Sequence, residues 1–182
     1  MFVDHTTETA PAAARRTLAA TEKRMGYLPA AVGRLAEAPA LLDGFLKLSG
    51  MFEATSLDPL ARETLIMTMA TRNGCHVCVA MHTAKLQQLD ADPALTAALR
   101  EGKPLPDAHL QAIRDFTHTV LDTAGEVPDE ALSAFLAAGF TRQQALEVVL
   151  GIGAYTMSTL ANRLTRAPLD EPLTPFAWEP AT

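Results

Sequence analysis

The 182-residue sequence predicts an all-α, single-domain protein, on three observations. Ala and Leu occur 33 and 25 times, against 8 Val and 3 Ile. Ala and Leu lose little side-chain freedom in a helix, whereas β-branched residues lose more. Prolines, glycines and capping residues divide the chain into about eight helical blocks. The length is sufficient for one domain, residues 1–182, to bury a core without disulfides or a structural metal.

Residues 1–55 are expected to form N-terminal helices. An Ala-rich helix over residues 11–24 ends at Gly26, and Pro29 lies in the first turn of a short second helix. A third helix is expected over residues 39–53. Proline is tolerated in a first turn because its missing N–H has no intrahelical partner there.

Residues 56–166 are expected to form the core of the domain. Asp58-Pro59 is typical of an N-cap followed by the first helical residue, and Asn73-Gly74 ends that helix. The next helix begins near Cys75 and runs to residue 89. The pair Thr141 and Gln144 has capping-box spacing and opens the last long helix. The remaining helices of the core are expected over 93–101, 107–124, 128–138 and 141–164.

Residues 167–182 are expected to be an extended, proline-rich tail on the surface. Phe176 and Trp178 are the candidate anchors of this tail. If these aromatic side chains were exposed, they would indicate a subunit contact.

Charge and hydropathy exclude several classes of partner. The net charge is −6 and the basic residues are scattered, so the sequence predicts no nucleic-acid partner. The longest apolar run, residues 148–155, is far short of the ~20 residues that cross a bilayer, so no membrane partner is expected. The N-terminus carries Asp4 and Glu8 and lacks a secretory-signal pattern, so a cytoplasmic location is expected.

The two cysteines carry the most specific signal. In a reducing compartment, cysteines are more often catalytic or metal-binding than structural. If a helix begins at Cys75, then Cys75, Cys78 and His82 lie on one helix face. A helix N-terminus favours the thiolate, which is the reactive form. Spacing alone leaves the nucleophile open, because Cys75 is nearer the helix start and Cys78 is better placed to bond His82.

Glu63 is the second unusual residue, because it interrupts an apolar helix face. Its neighbours at i−3, i+3 and i+4 are Leu60, Ile66 and Met67. A buried carboxylate needs a partner or keeps its proton. Because Asn73-Gly74 turns the chain back, we expect Glu63 to meet His82 and the thiols. The alternative is an ion pair with Arg163 or Arg166.

Glu63, Cys75-x-x-Cys78 and His82 together form a pattern that resembles the AhpD-like alkylhydroperoxidase branch of the carboxymuconolactone decarboxylase superfamily. Residues 140–164, with the pair Asn162-Arg163, are similar to the second long helix of that family. The resemblance covers the middle and C-terminal parts of the chain. It implies an all-helical AhpD-like bundle that assembles into homo-oligomers, often trimers or hexamers. It also implies reduction of organic hydroperoxides or hydrogen peroxide by a cysteine pair, without flavin or haem.

The resemblance assigns a role to each residue. Cys78 would be the peroxidatic cysteine and Cys75 the resolving one, while Glu63 and His82 would form the proton relay that deprotonates Cys78. The reductant would be a lipoyl-bearing or thioredoxin-like dithiol protein. One position departs from the family pattern. Well-studied members place a His immediately before the second cysteine, where this chain has Val77, so a shorter relay and slower turnover are expected.

Four alternatives remain open at the level of sequence. Cys75, Cys78 and His82 could hold a structural zinc, with His76 or Glu63 as a fourth ligand. The cysteines could also be inert core thiols. Residues 130–150 have the helix, turn and helix pattern of a DNA-binding regulator, with the cysteines as redox sensor. The fourth alternative is lactone decarboxylation, although that branch lacks the Cys-x-x-Cys pair.

Overall fold

The computed structural model describes residues 2–180, and every regular element in that range is helical, which confirms the predicted all-α class. The α-helices are α1 (Ala12–Met25), α2 (Ala30–Leu35), α3 (Pro39–Glu53), α4 (Pro59–Arg72), α5 (His76–Gln88), α6 (Pro93–Glu101), α7 (Ala108–Asp122), α8 (Asp129–Ala137) and α9 (Arg142–Thr165). A 3₁₀ helix follows at Glu171–Phe176. No helix within residues 2–180 has both the length and the apolar character needed to cross a membrane.

Side-chain caps fix where the helices of the core begin. Asp58, Asp92 and Asp107 each accept a backbone N–H at the start of α4, α6 and α7. Thr141 and Gln144 form the predicted capping box, in which each side chain bonds the other residue's backbone N–H. Such caps satisfy N–H groups that have no intrahelical partner, which explains why the predicted helix starts agree closely with the observed ones.

The tail is not extended throughout, so this prediction is wrong over Glu171–Phe176. Pro172 fits the first turn of a short helix, and Leu173 becomes buried once that turn forms. Trp178 is half-buried, and its indole N–H donates to the carbonyl of Arg100 at 2.9 Å. Both interactions hold the tail against the helical core.

Helix α4 lies at the centre of the main core and packs against α5, α7 and α9. It is buried on nearly all sides, since Ala61 and every residue from 63 to 70 are buried. Helix α9 packs across both α3 and α4. A smaller apolar cluster, which includes Leu18 and Leu42, joins α1 and α2 to α3. The long helices α4, α5 and α9 therefore meet in one region of the fold.

At Gly151, helix α9 passes close to side chains of α3 and α4. A Cβ at this position would lie 2.6 Å from Phe52 Cε2 and 2.9 Å from Leu65 Cδ2. We expect Gly151→Ala to lower the free energy of unfolding by about 1–3 kcal/mol, because the buried Phe52 ring and the Leu65 side chain would have to move. Urea denaturation measures this change.

Gly153 supplies the matched control on the same helix, since a Cβ there meets no atom within 4 Å. We expect Gly153→Ala to stabilise the protein by up to about 1 kcal/mol, through helix propensity alone. Equal effects of the two substitutions would show that the close approach at Gly151 does not limit packing.

Candidate redox site

The cysteine pair lies where α5 begins. Cys75 is the N-cap residue of α5 and Cys78 lies in its first turn, with Cα atoms 5.3 Å apart and a disulfide between them. The Cys75 N–H donates to the carbonyl of Ala70 at 2.9 Å, which fixes the turn from α4 into α5. Cys75 is 1% exposed and Cys78 is 5% exposed, so both cysteines are buried and Cys78 is the slightly more accessible residue.

Glu63 and His82 form a buried pair between α4 and α5. The Oε2 atom of Glu63 lies 2.7 Å from Nδ1 of His82, so the expected contact between these two side chains is present. Within residues 2–180, neither side chain is hydrogen-bonded to a cysteine sulfur. Only 3% of the Glu63 side chain and 13% of the His82 side chain are exposed. A hydrogen bond at Nδ1 fixes the ring orientation and leaves the second nitrogen, Nε2, for another partner. Within residues 2–180, neither Arg163 nor Arg166 pairs with Glu63, so that alternative is wrong.

Aromatic side chains enclose the imidazole. The ring of Tyr155 on α9 meets the His82 ring edge to face at 5.6 Å, and it also contacts Phe45 and Phe52 of α3. The Tyr155 hydroxyl lies 3.4 Å from Ser49 Oγ. Burial, reinforced by the nearby Glu63 charge, raises the pKa of Tyr155 far above its ordinary value. The phenol therefore stays protonated and provides a fixed, largely apolar wall for the site.

Asn162 on α9 faces the two sulfurs. Its Nδ2 lies 3.4 Å from the Cys78 sulfur and 4.0 Å from the Cys75 sulfur. Its Oδ1 is buried and has no hydrogen-bond partner in the part of the chain that the structure describes. An amide N–H directed at Cys78 stabilises a thiolate there, because a hydrogen bond to a charged group is stronger than one to a neutral group.

Helix α9 also holds the turn that carries the cysteines. The Asn73 side chain donates to Thr159 Oγ1 at 2.8 Å, and Arg163 donates to the Asn73 carbonyl. Tyr155, Thr159 and Asn162 are spaced at i, i+4 and i+7, so they share one face of α9. The i, i+4, i+7 spacing of these polar and aromatic residues is the signal in the sequence that groups Tyr155 and Asn162 on one face of α9. The spacing does not indicate which helices that face meets.

The position before Cys78 is structural in this chain. Val77 is fully buried in the main core, whereas His76 is half-buried. The structure thus brings Glu63 to His82 and Asn162 to Cys78, while Val77 supplies no polar group. Among residues 2–180, no group of three or more His, Cys, Asp or Glu side chains is arranged to hold a metal ion. The catalytic roles of Cys75, Cys78, His82 and Glu63 stay predictions.

We expect Asn162→Ala to lower the rate at which iodoacetamide alkylates reduced Cys78 at neutral pH by about tenfold. Loss of a hydrogen bond to a charged group costs about 1.5–3 kcal/mol, and this loss raises the free energy of the thiolate. Ser158→Ala is the control, since Ser158 is buried one turn earlier on α9 and, within residues 2–180, is not hydrogen-bonded to either sulfur. An unchanged alkylation rate in Asn162→Ala would show that the amide does not stabilise the thiolate.

Comparison with solved structures identifies the fold of this chain. No protein-family model and no curated protein matches the sequence. An uncharacterized peroxidase-related protein from Ralstonia eutropha JMP134, with an alkylhydroperoxidase AhpD core, aligns with a TM-score of 0.81 at 18% identity, over 94% of this chain and 93% of that one. This chain has the AhpD-like fold. The fold predicted from the sequence pattern is therefore confirmed.

Two further solved structures show what the AhpD-like fold accommodates. A peroxidase-related protein from Silicibacter sp. TM1040 has a TM-score of 0.77 at 19% identity, covering 94% of this chain and 92% of that one. The debrominase Bmp8, in complex with 2,3,4-tribromopyrrole, has a TM-score of 0.71 at 12% identity, covering 90% and 88%. The fold alone therefore does not determine which reaction such a protein catalyses. That depends on the side chains of the site.

Proposed function

We propose that this protein is a thiol-dependent peroxidase that reduces organic hydroperoxides or hydrogen peroxide through a dithiol–disulfide cycle of Cys75 and Cys78. The observation that carries the proposal is the buried Glu63–His82 hydrogen bond of 2.7 Å, one helical turn from the cysteine pair. A base held by a carboxylate beside a nucleophile is the arrangement that activates thiols. The peroxidase-related neighbours from Ralstonia and Silicibacter support the same class of chemistry.

The cycle has three balanced steps. Cys78 first transfers its thiol proton to the His82–Glu63 relay. The resulting thiolate attacks the peroxide, so that an S–O bond forms as the O–O bond breaks, and the relay proton leaves with the alcohol. The Cys75 thiol then attacks the sulfenic sulfur, water leaves and the disulfide forms. A lipoyl-bearing or thioredoxin-like dithiol reduces the disulfide and is itself oxidised. A cytoplasmic location, where such donors keep thiols reduced, fits this cycle.

The test is peroxide consumption by the reduced protein, with thiols counted before and after. We expect one equivalent of cumene hydroperoxide to be reduced as both free thiols disappear. If both thiols stay free, the proposal fails. A parallel assay with 2,3,4-tribromopyrrole and dithiol tests the reaction named for the debrominase neighbour. Debromination without peroxide consumption would replace the peroxidase assignment.

The first helical turn of α9 argues against the DNA-binding alternative. Gln143 and Gln144 are side chains that a recognition helix starting here would offer to bases. In the structure, Gln143 donates to Glu147 at 2.8 Å and Gln144 donates to the Ser56 carbonyl at 3.2 Å. The rest of α9 packs against α3 and α4. We therefore favour the enzyme over the regulator.

We also propose that the protein is a homo-oligomer through the outer face of α9. This face exposes a row of large apolar side chains: Leu146, Val149, Leu160 and Leu164. Leu160 on this face is 54% exposed and Val3, which is not on α9, is 52% exposed, so Val3 is a control position of matched exposure. We expect Leu160→Arg, but not Val3→Arg, to lower the molar mass found by light scattering. If neither variant changes the mass, the α9 face is not the interface.

A further inference from the structure

A cavity of about 1080 Å³ lies on the other side of α5 from the redox site, at the C-terminal tail. We call it the tail cavity; its walls come from the ends of α4 and α5, from α6 and α7, and from residues 176–180. Its volume lies slightly above the range of about 300–1,000 Å³ that is typical of small-molecule sites. Cys75, Cys78, Glu63 and His82 do not line it. The tail cavity is therefore separate from the proposed peroxidase site.

The apolar part of the wall is held in place by the tail. Phe176 and Trp178 line the cavity together with the small side chains of α6, such as Ala97. The Trp178 indole donates to the Arg100 carbonyl at 2.9 Å. In return, the Arg100 guanidinium donates to the carbonyls of Phe176 and Ala177 at 3.1 and 2.7 Å. These reciprocal bonds fix an indole and a phenyl ring at one side of the space.

The charged part of the wall is basic, although the whole chain carries a net charge of −6. The cationic side chains that line it are Arg72, Arg100, Lys103 and Arg114, against Glu101 and Glu179. Four cations less two carboxylates leave a formal excess of two positive charges in the lining. A cleft whose lining carries an excess of positive charge raises the local concentration of anionic ligands.

Two of these cations have no carboxylate partner within residues 2–180. Arg72 pairs with Asp122 at 2.9 Å, and Lys103 pairs with Glu101 at 2.6 Å. By contrast, Arg100 donates only to uncharged oxygens, and Arg114 donates to the Lys103 carbonyl.

Burial lowers the pKa of both Arg100 and Arg114, so an anion at the cavity would offset the loss of hydration that each guanidinium has suffered. Both side chains nevertheless stay charged near neutral pH, because an arginine does not lose its proton in proteins. A guanidinium also presents several N–H donors in the fork geometry that matches carboxylate and phosphate oxygens.

We propose that the tail cavity binds a small organic oxyanion, a carboxylate or a phosphate monoester, that carries an apolar body. The anionic group lies against Arg114 and Arg100, and the apolar body packs on Trp178. A bare inorganic anion would leave the aromatic wall unused, and an uncharged hydrocarbon would leave the two guanidinium groups without a counter-charge.

Trp178 makes the proposal directly measurable, because it is the single tryptophan of the chain. The experiment titrates the full-length protein with octanoate, octyl phosphate and octanol and follows the fluorescence of Trp178. We expect a saturable change with at least one of the two anions, at concentrations at least about tenfold below those at which octanol acts. The anion that binds more tightly identifies the head group. Equal response to octanol and both anions would overturn the proposal.

Substitutions locate the bound anion. Arg114→Gln is expected to weaken binding by about tenfold or more, because it removes a charged hydrogen-bond partner. Arg142→Gln removes the same charge from the exposed start of α9 and is expected to leave the affinity within about twofold. If both variants weakened anion binding equally, the affinity would depend only on the net charge of the protein, which would contradict a specific site at Arg114.

A second variant covers the case in which Arg114→Gln does not fold. Ala97→Phe keeps every charge and places a ring in the cavity, so it is expected to abolish the fluorescence response to the anion. Circular dichroism checks the helical content of each variant. If folded Ala97→Phe still binds with unchanged affinity, the ligand lies elsewhere and the proposal is wrong.

Discussion

Cys78→Ser is expected to abolish peroxide consumption, with a fall in rate of at least about three orders of magnitude. A serine hydroxyl stays protonated near neutral pH, so the variant lacks the nucleophile that attacks the O–O bond. The Cys78 sulfur is also the one closer to the Asn162 amide, and Cys78 is the more exposed residue of the two. Stopped-flow measurement of peroxide loss in the reduced variant provides the test.

Cys75→Ser is the matched variant, and its expected outcome is different. It should reduce one equivalent of peroxide and then stop, because the sulfenic acid at Cys78 has no resolving thiol. Trapping with dimedone followed by mass spectrometry identifies the modified sulfur. Equal single-turnover activity in the two variants, or a sulfenic acid found on Cys75, would reverse the assignment of the two cysteines.

Glu63→Gln is expected to slow the attack on peroxide by about 100-fold, within the range of about 10²–10⁴ that positioned acid–base groups contribute. The amide has the shape of the carboxylate and still accepts a hydrogen bond from His82, but it carries no charge to stabilise a protonated imidazole. We expect the variant to fold, because the amide of Gln can keep the buried hydrogen bond to His82, which measures 2.7 Å in the parent. The pre-steady-state rate of peroxide loss and the melting temperature are measured on the same sample.

Glu53→Gln is the control for this prediction, since Glu53 is an exposed carboxylate at the end of α3 that is not hydrogen-bonded to His82. We expect its rate to stay within about twofold of the parent, as for a screened surface charge. A second readout separates chemistry from folding: Glu63→Gln should also slow alkylation of Cys78 by iodoacetamide. A lower melting temperature with an unchanged alkylation rate would make Glu63 a structural residue only.

Local rules were enough to predict most of the fold. Asp58, Asp107 and Thr141 cap helices where the sequence places them, because capping depends on a side chain and the backbone a few residues away. The contact between Glu63 and His82 was also predictable. A carboxylate on an apolar face needs a partner, and the short turn at Asn73-Gly74 leaves α5 beside α4.

What could not be predicted depends on packing between distant segments. Tyr155 and Asn162 reach the site only because α9 crosses α4, and no local pattern fixes the angle of that crossing. The tail is a similar case. Its prolines indicate an irregular segment, but the short helix forms because Leu173 is buried and Arg100 binds the tail carbonyls, two contacts that no local pattern predicts.

The i, i+3 placement of the cysteines at the start of α5 has a kinetic consequence. Their Cα atoms are 5.3 Å apart, within the range of about 4.4–6.8 Å that a disulfide requires. Because residues at i and i+3 of a helical turn stay close whether or not they are bonded, we expect closure of the disulfide to need rotation of side chains and no displacement of a helix or loop. Side-chain rotation is faster than loop or domain movement. In the proposed cycle, the resolving step would therefore be a unimolecular reaction with a chemical barrier, and we expect its rate not to depend on solvent viscosity.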